Sequence, residues 1–281
     1  MLGAIMGDFF GSRFELNPIN TKDFNLFDLR NRLTDDSYLT LTTARVLMNN
    51  YPIKYDEEHL QNIQAELKQE FMKTWLKHQN AGWGYLFFKW CGRVYRNGDS
   101  GPYNSFGNGG PMRVSPVGWI AHNEEEVKIL SKTVTAITHN HPEGLKGAEC
   151  IAMCVYLARN GFSKAQIENR VCNCYYPEIK SLKYAVLVEN QHFNSSCMET
   201  VPQAVYCFLI SKNLEDAIRT AISIGGDVDT ISCMTGAIAE AYYQKDKLSE
   251  LEDKFLYFCI DSNIEKLIKH FYLMIGSKKF E

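Results

Sequence analysis

Apolar residues recur at helical spacing along most of the chain, and the predicted helices begin and end at recognisable capping residues. A capping box is predicted at Ser163 and Gln166, and the pair Asn160-Gly161 is typical of the end of a helix. The predicted helices are Thr34 or Asp35 to about Asn50, 57–78, Asn123 to about Ile137, 144–159, one after Ser163, one after Asn213, one after the GGDVDT motif, and two near 247–258 and 262–275.

Two segments do not follow this helical pattern. The run YAVLV (184–188) is typical of a strand, although a turn of buried helix also fits it. Residues 96–119 are predicted to form a long loop, and their glycine-rich centre (107–110) could turn backbone N–H groups toward an anion. The pattern as a whole predicts an all-α fold in which residues 1–281 form a single domain.

The composition favours an intracellular globular protein. The chain has 281 residues, 45% of them hydrophobic, and a net charge of -3 without a block of basic residues, which argues against a nucleic-acid partner. The nine cysteines show no metal-binding spacing and fit reduced core thiols. Neither a membrane-spanning run nor a secretory signal is recognised, so we expect a cytoplasmic protein with no membrane partner.

Two acidic motifs carry the candidate chemistry. LTDDS (33–37) and GGDVDT (225–230) each place two carboxylates and at least one hydroxyl at the start of a predicted helix. Helix capping accounts for one carboxylate in each motif. The second is harder to explain, since neighbouring carboxylates repel each other and are costly to bury unpaired. If the motifs meet in space, they form an all-oxygen site suited to Mg²⁺, Ca²⁺ or Mn²⁺.

Two further stretches contain candidate residues whose roles stay open at this point. Glu15 in GDFFGSRFE could be a solvated carboxylate on a helix. His139 and His141 in THNHPEG could ligate a metal, act as acid and base, or end a helix.

Six stretches, taken in order, resemble the ADP-ribosylglycohydrolase family. They are GAIMGDFFGSRFE, LTDDSYLT, SFGNGGPMRVSPVGW, THNHPEGLKGAE, VPQAVYCFL and EDAIRTAISIGGDVDTISCMTGAIAEAYY. The resemblance spans nearly the whole chain. It implies an all-helical domain that binds two divalent ions, Mg²⁺ or sometimes Mn²⁺, and an ADP-ribosylated protein or a small ADP-ribose conjugate as partner.

The resemblance also implies roles for particular residues. The metal ligands would be Thr34, Asp35, Asp36, Asp227, Asp229 and Thr230. The substrate-binding residues would be Ser105, Phe106, Gly107, Asn108, Gly109 and His139. The candidate catalytic residues are Asp227, which we favour as the group that takes the proton of the attacking water, Glu15 as its alternative, and Asp36.

The expected activity is hydrolysis of the N- or O-glycosidic bond between ADP-ribose and an arginine or serine side chain. O-acetyl-ADP-ribose and modified nucleic-acid bases share the same ADP-ribose half, so the sequence leaves the linkage open. A non-catalytic ADP-ribose-binding or crystallin-like protein, and a purely structural helical protein, are the alternatives.

Overall fold

α-Helices are the main regular structure of residues 1–243 and 247–280, which are the residues that the computed structural model describes. No β-strand occurs in these ranges, and the predicted all-α fold is confirmed. The α-helices are α1 (Leu2–Gly11), α2 (Asp35–Asn49), α3 (Glu57–Lys77), α4 (Tyr85–Asn97), α5 (Ser115–Ile120), α6 (Glu124–Thr135), α7 (Pro142–Arg159), α8 (Lys164–Cys174), α9 (Tyr184–Glu189), α10 (Cys197–Ile210), α11 (Leu214–Ser223), α12 (Val228–Tyr243), α13 (Glu250–Phe258) and α14 (Ser262–Met274). Short 3₁₀ helices cover Pro111–Arg113, Pro177–Ser181 and Lys278–Phe280.

Asn123 and Ser163, two of the predicted capping residues, cap their helices. Asn123 accepts a hydrogen bond from the backbone N–H of Glu126 at the start of α6. Ser163 and Gln166 form the capping box of α8. Because each of these bonds joins residues three apart, the local sequence is sufficient to specify it.

Two sequence predictions were wrong in part. Residues 184–188 belong to the helix α9, not to a strand, and none of the residues of α9 is buried. Residues 96–119 are not a continuous loop, since α4 reaches Asn97 and helical turns begin again at Pro111 and Ser115. Proline lies in the first turn of both of these later helices, where its fixed φ angle favours the helical conformation.

Helix α1 lies at the centre of the molecule against α12, and all ten of its residues are buried. The contact requires glycine at Gly7. A Cβ atom there would lie 2.0 Å from the carbonyl oxygen of Ser232 on α12. At Gly11 the equivalent atom would lie 2.7 Å from Cα of Asp229. The backbones of α1 and α12 are therefore in direct contact where α12 begins.

The other faces of α12 are covered by α7, α10 and α11. None of the helices in the described part of the chain is both long and apolar enough to cross a bilayer. Seven of the nine cysteines are buried and none is in a disulfide, which agrees with their predicted role as packing residues.

Candidate metal centre and ligand cavity

The two acidic motifs meet where α2 and α12 begin. The hydroxyl of Thr230 donates to Oδ2 of Asp36 at 3.3 Å, across 194 residues of sequence. Gly225 and Gly226 connect α11 to α12 with φ angles of 73° and 82°, a conformation that glycine adopts readily. Asp36, Asp227 and Asp229 are all buried.

The carboxylates form two groups that share one residue. In the first group, oxygens of Asp8, Asp36 and Asp229 lie within 4.8 Å of one another. In the second group, oxygens of Glu15, Asp227 and Asp229 satisfy the same limit. Asp229 thus lies between two clusters of oxygen ligands, each small enough to surround a cation.

The donor set fits hard divalent cations. Each group offers carboxylate oxygens and neither offers thiolate or imidazole, which is the chemistry that Mg²⁺ and Mn²⁺ prefer. Oδ1 of Asp36 is buried and has no hydrogen-bond partner. A buried carboxylate oxygen without a partner is costly, and a cation would offset that cost.

Helix capping does not explain the carboxylate of Asp36 in the first acidic motif. The side chain of Thr34, at the cap position of α2, makes no capping bond. Its hydroxyl instead donates to Oδ1 of Asp8 at 2.6 Å. The N–H of Ser37, in the first turn of α2, donates to Asp8 at 3.1 Å. Asp8 therefore supplies the cap from another helix, and Asp36 is left with a free oxygen.

Asp8 is the residue of the candidate site that the sequence analysis missed. It accepts bonds from the backbone N–H and hydroxyl groups of both Thr34 and Ser37. The overlooked signal was a lone carboxylate inside the apolar segment LGAIMGDFF. A carboxylate in such a segment is buried, and it needs partners from elsewhere in the fold.

Burial and mutual repulsion raise the pKa values of the clustered carboxyl groups. The pKa of Asp36 is well above its usual range, chiefly because the side chain is buried and then because Asp8 is close. For Asp229, burial again raises the pKa most, followed by the charge of Asp227. Ionisation of either group without a counter-charge costs free energy. A bound cation would supply the counter-charge.

The other predicted metal ligands lie near these groups without all joining them. Asp35 is half-buried and lines the same cavity, but neither carboxylate group includes it. Thr34 and Thr230 contact Asp36 through their hydroxyl groups, at 3.4 and 3.3 Å. Glu15 follows the end of α1 and is half-buried, and its pKa is raised by that burial and by Asp227.

A cavity of about 330 Å³ opens beside the carboxylates. Four of the six predicted substrate-binding residues come from one loop on its wall, namely Ser105, Gly107, Asn108 and Gly109, and His139 lines the cavity beside this loop. The amide of Asn108 donates to Oδ2 of Asp227 at 2.9 Å. This bond joins the glycine loop directly to the second acidic motif.

The glycine loop is held by the segment before α10. The N–H of Asn108 donates to the carbonyl of Ser195 at 2.8 Å, and Gly107 forms an antiparallel bridge with Ser196. The N–H of Gly107 donates to the hydroxyl of Ser105 at 3.1 Å. The expectation that this backbone presents its N–H groups to an anion is therefore wrong for Gly107 and Asn108.

Phe106 and the two histidines differ in their positions. Phe106 is half exposed and contacts His141 edge-on, and it does not line the cavity. His141 caps α7 by accepting the N–H of Glu143 at 3.1 Å, so the helix-end alternative holds for this residue. His139 is buried and faces the cavity.

Comparisons with known proteins identify the family to which the chain belongs. The family model of ADP-ribosylglycohydrolase matches residues 1–277. The human ADP-ribosylhydrolase ARH3 is 26% identical over 314 aligned residues, which cover 89% of this chain and 86% of that protein. The ADP-ribosylarginine hydrolase Tri1 of Pseudomonas putida is 24% identical and covers 86% of this chain and 69% of its own length.

A solved structure described as an ADP-ribosylglycohydrolase-related protein complex superposes with a TM-score of 0.70. It covers 98% of this chain and 97% of its own, at 20% sequence identity, which establishes the fold. Since the family model also spans nearly all of the sequence, the chain belongs to the ADP-ribosylglycohydrolase family.

Proposed function

We propose that the protein is a metal-dependent hydrolase that releases ADP-ribose from a modified protein side chain by cleaving an N-glycosidic bond to arginine or an O-glycosidic bond to serine. One observation carries the proposal. Two three-carboxylate groups share Asp229 and lie beside a cavity bordered by the Ser105–Gly109 loop. Such an arrangement suits a reaction in which a hydroxyl-rich sugar is held next to a pair of cations.

Two Mg²⁺ ions are the proposed cofactors, with Mn²⁺ as a substitute. Asp36, Asp227 and Asp229 would hold them, with Asp8 and Glu15 completing the two groups and with the predicted ligands Thr34, Asp35 and Thr230 at their edge. When bound, the cations supply positive charge that orients ribose hydroxyls and lowers the pKa of a water molecule.

The protein side chains would divide the remaining work. Asp227 is oriented by the amide of Asn108, so one of its oxygens is fixed and the other is available to accept the proton of the attacking water. The oxygen of that water would form a bond to the anomeric carbon of ribose while the bond to the side-chain nitrogen or oxygen breaks. The leaving nitrogen or oxygen would take up the proton removed from the water, which restores the unmodified side chain. Glu15 is the alternative base, and its partial exposure leaves it free to move.

The ligand would lie along the cavity wall. Ser105, Gly107, Asn108 and Gly109 would contact the phosphates and the distal ribose, with His139 beside the loop. Phe106 could reach the adenosine half only from outside the cavity lining, where its ring is half exposed.

The test is release of free ADP-ribose from two peptides, one ADP-ribosylated on arginine and one on serine, followed by mass spectrometry. We expect release that requires Mg²⁺ and stops with EDTA, and a preference between the peptides would assign the linkage. Release that is unaffected by EDTA would contradict the proposed cofactor. Tight binding of ADP-ribose without release from either peptide would favour the non-catalytic or crystallin-like alternative.

A further inference from the structure

Arg113 is a fully buried arginine beside the ligand cavity. Among the described residues, no carboxylate lies within ion-pair distance of it, and its Nε and Nη1 atoms have no hydrogen-bond partner. Its guanidinium lies 4.7 Å from the ring centre of Phe71. Burial lowers the pKa of Arg113 to about 10, so the group stays protonated at neutral pH. It can therefore donate hydrogen bonds and cannot accept them.

Arg113 fixes the direction of a neighbouring hydroxyl group. Its Nη2 atom donates to Oγ1 of Thr138 at 2.5 Å. The single hydrogen of that hydroxyl then has two acceptors in range. Nδ1 of His139 lies at 2.8 Å, and the carbonyl oxygen of Thr135 lies at 3.4 Å. The first distance is normal for a hydroxyl donor and the second is beyond its usual range, so the hydroxyl donates to His139.

His139 carries one ring hydrogen under these conditions. Burial, and then the charge of Arg113, lower the pKa of His139 well below its usual range, so the ring is neutral at pH 7. A neutral ring has one donor and one acceptor nitrogen. Since Nδ1 accepts from Thr138, the hydrogen is on Nε2.

The Nε2 atom faces the glycine loop. A Cβ atom on Gly109 would lie 3.0 Å from Nε2, and one on Gly107 would lie 3.9 Å away. Because Gly109 has no side chain, the loop backbone can lie this close to Nε2, and both glycines and His139 line the ligand cavity. A ligand oxygen placed against the loop would meet a donor there.

We propose that Arg113 acts through Thr138 to hold His139 in the Nε2–H tautomer, so that His139 donates a hydrogen bond to an acceptor oxygen of the bound ligand. The identity of that ligand as ADP-ribose rests on the proposed function. We call the chain of bonds from Arg113 through Thr138 to His139 the relay. Arg113 and Thr138 are positioning residues in it, because they act on the ligand through His139.

The tautomer can be measured without any ligand, by long-range ¹H–¹⁵N correlation NMR of the histidine rings, with His139→Gln used for assignment. We expect a protonated Nε2 and an unprotonated Nδ1 for His139 in the wild type and in Thr138→Ser, which keeps the hydroxyl. Thr138→Val and Arg113→Met should give a mixture of tautomers. His141 is an internal control, since its Nδ1 accepts from Glu143 in every variant. An Nδ1–H tautomer of His139 in the wild type, or an unchanged tautomer in Thr138→Val, would overturn the relay.

Affinity for ADP-ribose, measured by isothermal titration calorimetry with Mg²⁺, gives a second readout. If Thr138→Val leaves about half of the protein in the Nε2–H form, only that fraction can donate the bond, so binding should weaken by about twofold, with recovery in Thr138→Ser. Equal affinities in both variants would contradict a role in binding. If His139 has the Nε2–H tautomer but the protein does not bind ADP-ribose, only the proposed function is contradicted. If the protein binds ADP-ribose but His139 has the Nδ1–H tautomer, only the relay is contradicted. If Arg113→Met does not fold, the Thr138 pair still decides the question.

Discussion

Replacement of Gly7 by alanine tests the link between the central helix contact and the metal centre. The added Cβ would lie 2.0 Å from a backbone oxygen of α12, and ordinary van der Waals contact begins near 3.4 Å. Relief of the clash along that line requires the two backbones to separate by 3.4 − 2.0 = 1.4 Å. No side-chain rotation can avoid this clash, because the position of Cβ is fixed by its own backbone and the atom that it meets is a backbone oxygen.

The expected cost follows from this displacement. An extra methyl group in a packed core typically costs about 1–3 kcal/mol, and a backbone clash belongs at the upper end. The better helix propensity of alanine returns up to about 1 kcal/mol. We therefore expect a net loss of about 2–3 kcal/mol in the free energy of unfolding. For a chain of 281 residues, with an unfolding entropy of about 2.1 cal/mol/K per residue, that corresponds to a fall in Tm of about 3–5 °C.

The same displacement should weaken cation binding. Asp8 follows Gly7 directly and Asp229 is in the first turn of α12, so their carboxylates would move apart by up to 1.4 Å, which is a large fraction of the ~2.1 Å bonds that Mg²⁺ requires. We expect Mn²⁺ affinity, measured by calorimetry, to fall by at least about tenfold.

Gly92→Ala is the matched control. Gly92 lies inside α4, and a Cβ atom there would meet only the side chain of Arg96 at 3.5 Å, so we expect a gain of about 0.5–1 kcal/mol. A Gly7→Ala protein with unchanged Tm and full activity would refute the packing argument. A destabilised protein that binds Mn²⁺ normally would refute the link between packing and the metal centre.

Three further predictions concern charged groups. Asp227→Asn and Asp229→Asn should each abolish ADP-ribose release with the helical circular dichroism spectrum intact, and retained activity in both would contradict the metal site. In EDTA, stability should fall as pH rises above the unfolded pKa of about 3.9. The raised pKa values of Asp36 and Asp229 stabilise the fold fully only below that pH, and this stability is lost as pH rises through the folded-state values. Urea unfolding with saturating Mg²⁺ should remove that slope, and an equal slope with Mg²⁺ would contradict the cation's role. Lys279→Met should lower the free energy of unfolding, measured in urea, by about 3–5 kcal/mol, since Lys279 is buried between Glu240 and Glu252 at 2.5 Å from each. Lys278 is exposed, so Lys278→Met should cost almost nothing. Equal effects of the two substitutions would contradict the argument.

Local sequence was sufficient for α6, α8 and α11 because their capping bonds join residues three apart. The caps at Asn123, Ser163 and Asn213 were all predicted and are all present. The YAVLV segment was misassigned because a short apolar run fits a strand or a helix equally well. The helical turns within 96–119 do have a signal in the sequence, since Pro111 and Pro116 each lie in the first turn of a helix, where proline is favoured.

The candidate site was only partly predictable because its key contacts join distant segments. The acidic motifs were recognised as a pair, and the contact between Thr230 and Asp36 bears out the idea that they meet. Asp8 escaped notice because its partners lie on another helix. The relay from Arg113 to His139 likewise depends on bonds between a 3₁₀ helix and a separate turn, which no spacing rule describes.

The most direct test of the metal centre is the anomalous diffraction of Mn²⁺ in crystals of the wild-type protein. We predict two peaks, one bordered by Asp8, Asp36 and Asp229 and the other by Glu15, Asp227 and Asp229, with Asp229 touching both. A single peak, or two peaks of which one does not touch Asp229, would contradict the shared-carboxylate arrangement on which the proposed hydrolase rests.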